Sequence, residues 1–154
     1  MRSPAEISGA ASDMRLLIVD DDAVFCSLAR AKLAGLGADT RQALDGLAGW
    51  QLAQEDEFDL ALIDLGLPGL DGLSLIERLR QHPKTQRMPI IVITGRDDRE
   101  AIDCAFAAGA TLFLTKPINW PLVGYQISCV MRLMRSERDA REAHQRARAE
   151  SRIK

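Results

Sequence analysis

Three unbroken runs of branched apolar residues, Leu16-Leu17-Ile18-Val19, Leu60-Ala61-Leu62-Ile63 and Ile90-Ile91-Val92-Ile93, carry no polar alternation. A strand with one wet face would alternate, so runs of this length predict parallel strands buried on both faces. Between them the apolar period changes. Val24, Leu28, Ala31 and Leu36 recur at helical spacing, as do Leu47, Trp50 and Leu52, and then Leu73, Ile76 and Leu79. A weaker strand over residues 38–43, a fifth over residues 111–114, and helices over residues 99–107 and from Pro121 onward complete the alternation. Gly35, Gly37, Pro68-Gly69, Asp71-Gly72, Gly95 and Gly109 fall between the periodic segments, where turns need them. Five strands alternating with five helices predict an α/β fold with a doubly wound parallel sheet.

Composition narrows the class without changing it. The chain has 154 residues, 47% of them hydrophobic and 27% charged, which suits one globular domain with a real core. Its apolar runs are far short of the roughly 20 residues that cross a bilayer, so no membrane span is expected. Residues 1–13 mix Ser, Gly, Ala and Pro with charges and have no apolar signal region, which reads as a flexible N-terminal segment of a cytoplasmic protein. Cys26, Cys104 and Cys129 show no metal or disulfide spacing and read as reduced core thiols. Charge divides the chain. Residues 135–154 hold seven bases against four acids, which leaves 13 bases against 18 acids in the rest. An acidic body is a poor holder of a nucleic-acid backbone, so no direct nucleic-acid binding is expected. The body is assigned to residues 14–134, and residues 135–154 to a charged helical extension or linker.

In an open parallel sheet the ligand crevice lies outside the carboxyl ends of the strands. Those ends carry Asp20, Asp21 and Asp22 after the first strand, Asp64 after the third, Thr94 after the fourth and Lys116 just past the fifth. Clustered carboxylates repel unless a cation lies among them, and an all-oxygen set suits Mg2+. Asp64 is then a candidate nucleophile for a phosphoryl group, with Thr94 and Lys116 placed to meet its oxygens. Gly95 leaves room for a donor to enter. Each residue also has a plain structural alternative, above all Asp22, which suits the N-cap of the first helix.

The stretches Leu16-Leu17-Ile18-Val19-Asp20-Asp21-Asp22, Asp64-Leu65-Gly66-Leu67-Pro68-Gly69-Leu70-Asp71-Gly72, Ile93-Thr94-Gly95 and Thr115-Lys116-Pro117 resemble response regulator receiver domains of two-component signalling. The resemblance implies a flavodoxin-like strand order 2-1-3-4-5. It makes Asp64 the phosphorylated aspartate and Asp20 with Asp21 the acidic magnesium pair, with the Gly66 carbonyl as a further ligand. By the same resemblance Thr94 is the switch hydroxyl that turns toward the phosphoryl group, Lys116 the ion-pair partner of that group, Phe113 the aromatic switch position, and Lys116-Pro117 a cis bond. Gly66 and Arg96 hold positions that influence water attack in relatives. They suggest slow self-dephosphorylation, with Arg96 shielding the phosphoryl group.

The implied function is a phosphorylation-activated switch, served by a sensor histidine kinase or a histidine phosphotransfer protein. Its readout face would comprise the fourth helix, fifth strand and fifth helix. Neither His82 nor His144 suits an internal donor, and the 20 residues after Met134 are too few for a DNA-binding output domain. The output would lie in cis beyond residue 154, as in diguanylate cyclases, or in a partner protein. The pattern Val130, Leu133, Glu137, Ala140, His144 and Ala147 permits a weak homodimer seam. Two alternatives compete: an aspartate-dependent magnesium phosphatase of the haloacid dehalogenase class, and a receiver-like scaffold that is never phosphorylated. The phosphatase would want a second acid where Gly66 stands. Apart from its own phosphoryl transfer, the chain is not expected to be an enzyme.

Overall fold

Apolar runs without alternation become strands that see protein on both sides. The computed structural model of the protein describes residues 14–153. Residues 1–13, read from the sequence as a flexible segment, and Lys154 lie outside the described residues. The strands are β1 (Arg15–Val19), β2 (Asp39–Ala43), β3 (Leu60–Ile63), β4 (Ile90–Thr94) and β5 (Leu112–Thr115). The helices are α1 (Ala23–Ala34), α2 (Gly46–Glu55), α3 (Gly72–Gln81), α4 (Arg99–Ala108) and α5 (Trp120–Ile153). All strand pairs are parallel, in the order β2-β1-β3-β4-β5 that the family resemblance implied.

The period of two along each strand sorts the core into two halves. Leu17, Val19, Ala61, Ile63, Ile90 and Val92 face the side covered by α2, α3 and α4, where Ala53, Leu75, Ile76, Leu79, Ala101 and Ala105 meet them. Leu16, Ile18, Leu60, Leu62, Ile91 and Ile93 face α1 and α5, against Cys26, Ala29, Leu33, Val123, Ile127 and Val130. Every residue of β3 and β4 is buried. Each fully buried Leu or Ile contributes about 1.5–3 kcal/mol of transfer free energy.

Two sequence expectations need correction. The apolar positions Val24 and Leu28 of α1 and Leu47 of α2 are exposed. Those helices bury Cys26, Ala29 and Leu33, and Gly46, Gly49 and Ala53. Small residues set the face because the helices lie close to the sheet: a Cβ on Gly49 would fall 2.8 Å from a methyl of Val19. Val24, Leu28 and Leu47 are turned outward, and of the large residues of α1 Leu33 is buried. The cysteines differ as well. Cys26 is a buried core thiol, but Cys104 and Cys129 are exposed, since they fall on the outer faces of α4 and α5.

The last helix runs 34 residues, about 51 Å. Val123, Gly124, Ile127 and Val130 are buried, whereas from Arg135 to Arg152 the helix is exposed apart from a half-buried Arg141. Among the described residues no helix is long and apolar enough to cross a membrane.

Candidate functional site

Strand register decides which side chains can meet at the carboxyl edge. Val19 pairs with Ile63, so the next residues, Asp20 and Asp64, emerge side by side, and the Asp64 N–H donates to the Val19 carbonyl at 2.9 Å. Thr94 pairs with Thr115 on the other side, and the Lys116 N–H donates to the Thr94 carbonyl at 2.9 Å. Four strand ends thus converge on one edge of the sheet.

Lys116 holds the acids together. Its Nζ donates to Asp20 Oδ2 at 2.6 Å and to Asp64 Oδ2 at 3.1 Å. The remaining oxygens are met by backbone: Asp20 Oδ1 accepts from the Asp22 N–H at 2.9 Å, and Asp64 Oδ1 from the Gly66 N–H at 3.1 Å. Asp21 is exposed, and one carboxylate oxygen each from Asp20, Asp21 and Asp64 lie within 4.8 Å of one another. Two of the three carboxylates therefore share one ammonium, and Asp21 stands beside them without it. Burial raises the Asp20 pKa, and its bond to Lys116 only partly opposes this. Burial alone would lower the Lys116 pKa, but hydrogen bonds to Asp20 and Asp64 outweigh it and hold the ammonium charged. The donor set is hard, all-oxygen and short of positive charge, so it fits a divalent cation such as Mg2+.

Local structure fixes each participant. Asp22 takes the N-cap role that the sequence suggested, accepting from the Val24 and Phe25 N–H groups, so it is spent on α1. Thr94 is buried at the end of β4, and its Oγ1 accepts from the Arg96 N–H at 3.4 Å. The Lys116-Pro117 bond is cis. Phe113 is half-buried on β5 and packs against the cluster that contains Ala101 and Ala105 of α4. Gly66 and Gly95 have nothing within 4 Å of where a Cβ would stand, which leaves the entrance open. The Arg96 guanidinium, proposed from the sequence to shield a phosphoryl group, is bound to an acid of its own loop. It forms a two-pronged contact with Asp98, both prongs at 3.2 Å, because Asp98 is the exposed N-cap acid of α4 two residues away.

Sequence reasoning missed two features. Gly72 opens α3 so close to the acceptor strand that a Cβ there would lie 2.2 Å from the Asp64 carbonyl oxygen. The Asp71-Gly72 turn signal marked the position but not the contact. An aromatic pair also borders Lys116: its Nζ lies 4.2 Å from the Phe25 ring centroid, and Phe25 lies 5.9 Å from Trp120. No local pattern links residues 25, 116 and 120.

Comparison with known proteins agrees with this geometry. Residues 16–123 match the response regulator receiver domain family. The chain is 36% identical over 105 residues to the DNA-binding dual master transcriptional regulator RpaA of Synechocystis, covering 68% of this chain and 44% of that protein. It is 31% identical over 108 residues to the chemotaxis protein CheY-3 of Vibrio cholerae, covering 70% and 83%. The crystal structure of a CheY-like receiver domain protein from Methanospirillum hungatei superposes with a TM-score of 0.76 at 27% identity, covering 80% of this chain and 98% of that one. The chain thus spans less than half the length of RpaA and most of the chemotaxis protein.

Proposed function

The chain belongs to the response regulator receiver domain family, and from that membership we propose that it is a phosphorylation-activated switch whose acceptor is Asp64. The observation that carries this reading is the Asp64 carboxylate itself. It stands at a strand end, 12% exposed, tethered by Lys116 at 3.1 Å, with Asp20 and Asp21 beside it and open space where a Cβ on Gly66 would stand. The donor is a phosphohistidine on a sensor histidine kinase or a histidine phosphotransfer protein. A carboxylate oxygen of Asp64 attacks the phosphorus, the P–N bond breaks, and its electron pair leaves on the imidazole nitrogen. Lys116 trades carboxylate oxygens for phosphoryl oxygens, and the Thr94 hydroxyl donates to another. Asp20, Asp21, Asp64 and the Gly66 carbonyl would hold Mg2+, which neutralises charge on the transferring group.

The new group brings about −1.5 to −2 charges into an acidic crevice, and its bonds to Thr94 and Lys116 bias the position of Phe113 and of the α4, β5 and α5 face. That face signals to an output domain in cis or a partner in trans, in the cytoplasm, with α5 beyond Met134 as linker or homodimer seam. A phosphatase reading lacks its general acid, since Gly66 faces open space. Intact mass after incubation with Mg2+ and acetyl phosphate tests the proposal. Wild type gains one labile phosphoryl adduct and Asp64→Asn gains none; a wild type that stays unmodified while binding Mg2+ overturns it.

A further inference from the structure

The ammonium of Lys116 is enclosed on three sides. Asp20 Oδ2 lies at 2.6 Å and Asp64 Oδ2 at 3.1 Å, and the face of Phe25 closes the third side at 4.2 Å to its centroid. A ring face attracts a cation through its quadrupole, yet cannot compete as a hydrogen-bond acceptor with a carboxylate or phosphoryl oxygen. It holds charge in place without claiming the donors.

Phe25 is itself braced. Trp120, which opens α5 four residues after Lys116, packs against it at 5.9 Å with the rings tilted by 35°. Its backbone N–H is bonded at 3.2 Å to Asp22, the acid that follows Asp20 and Asp21. The ring is therefore fixed from the start of α1 and from the start of α5, the two segments that flank the crevice.

We propose that Phe25, braced by Trp120, is a positioning residue for phosphoryl transfer, acting through a cation–π contact that keeps the Lys116 ammonium over the acceptor carboxylate. The inference rests on the proposed function and deepens it. During transfer Lys116 must leave its Asp20 contact and follow the charge that develops on the phosphoryl oxygens. The Phe25 face travels with neither carboxylate, so it confines the ammonium to the crevice while its oxygen partners change. A lysine without that face would share its time with solvent and arrive less often in the productive geometry.

The test separates ring electronics from ring shape. Phe25 is replaced in the full chain by mono-, di- and trifluorinated phenylalanine, which keep the shape and progressively weaken the quadrupole, and by Phe25→Leu and Phe25→Tyr. The readout is the rate of adduct formation on Asp64 with acetyl phosphate and Mg2+, with the melting temperature followed in parallel. The rate should fall stepwise with fluorine content at constant melting temperature, drop about 5- to 10-fold in Phe25→Leu, and stay within about twofold of wild type in Phe25→Tyr. Equal rates across the fluorinated series would overturn the inference even if Phe25→Leu were slow, since the ring would then serve only as packing. A wild type that forms no adduct would instead overturn the proposed function, and this inference with it.

Discussion

The two edges of the sheet both carry ion clusters, and they behave in opposite ways. At the amino edge Arg15 grips Asp56 with both guanidinium nitrogens, Arg41 adds a contact at 3.4 Å, and Asp59 accepts from the Arg15 N–H at 2.8 Å. At the carboxyl edge one lysine serves Asp20 and Asp64. The Asp56 side chain is 24% exposed and its pKa is pulled down to about 2, chiefly by the Arg15 hydrogen bond. The Asp20 side chain is 2% exposed and its pKa is raised by burial despite its ammonium partner. Opposite charges in contact thus give opposite shifts, depending on whether water remains to share the solvation. At the amino edge the acids have guanidinium and backbone N–H partners. The carboxyl edge is left short of positive charge, as a site that admits a cation and a phosphoryl group should be.

The largest break in this contrast should come from Gly72→Ala. The added Cβ has no room beside the Asp64 carbonyl at 2.2 Å, so the start of α3 or the acceptor strand end must move, at a cost of about 3 kcal/mol. Urea denaturation reads the loss, and a lowered adduct yield on the remaining folded protein reads the displaced acceptor. Lys116→Met comes next, because it leaves Asp20 and Asp64 without their ammonium. The expected destabilisation is about 2 kcal/mol in the absence of divalent cation, below the full cost for a buried pair because Lys116 keeps 24% of its side chain in solvent. Added Mg2+ should restore part of it, and a variant as stable as wild type in chelator would contradict the charge shortage.

Asp20→Asn should have the reverse sign. The fold bears the cost of ionising a buried acid only above its raised pKa, so removing that charge should stabilise the metal-free protein by about 1 kcal/mol near neutrality. The gain should fade on acidification, when wild-type Asp20 takes up its proton. Asp56→Asn should have the smallest effect and the opposite trend. A depressed carboxyl pKa stabilises the fold above the ordinary value of 3.8, and that stabilisation is lost as pH falls through about 2. Melting temperatures of the two variants against wild type between pH 7 and pH 2 should therefore converge on wild type from opposite sides. Parallel curves would mean that the two edges do not differ in the way the burial implies.

Much of the architecture was legible because it is local. Unbroken runs such as Leu60 to Ile63 became strands at those same residues, and Asp22 became the cap of α1. The acids, hydroxyl and lysine at successive strand ends were legible for the same reason, since parallel register carries strand ends to one edge. The faces of α1 and α2 were not. Val24, Leu28 and Leu47 have the larger apolar side chains, yet Ala29, Gly49 and Ala53 face the sheet. Periodicity weighs hydrophobicity, whereas a helix lying close to a sheet selects small residues for its inner face.

The chain's local pattern was enough to set the elements, their alternation and the chemical types gathered at the carboxyl edge, because hydrophobic period and capping chemistry act within a few residues. Only the folded molecule decided how that edge is wired. Lys116 bridges Asp20 and Asp64 beneath a ring from α1, Gly72 is pressed against the acceptor strand, and Arg96 turns to Asp98. Contacts between residues up to 96 positions apart depend on packing distances and desolvation, and neither quantity exists until the sheet and its helices close on one another.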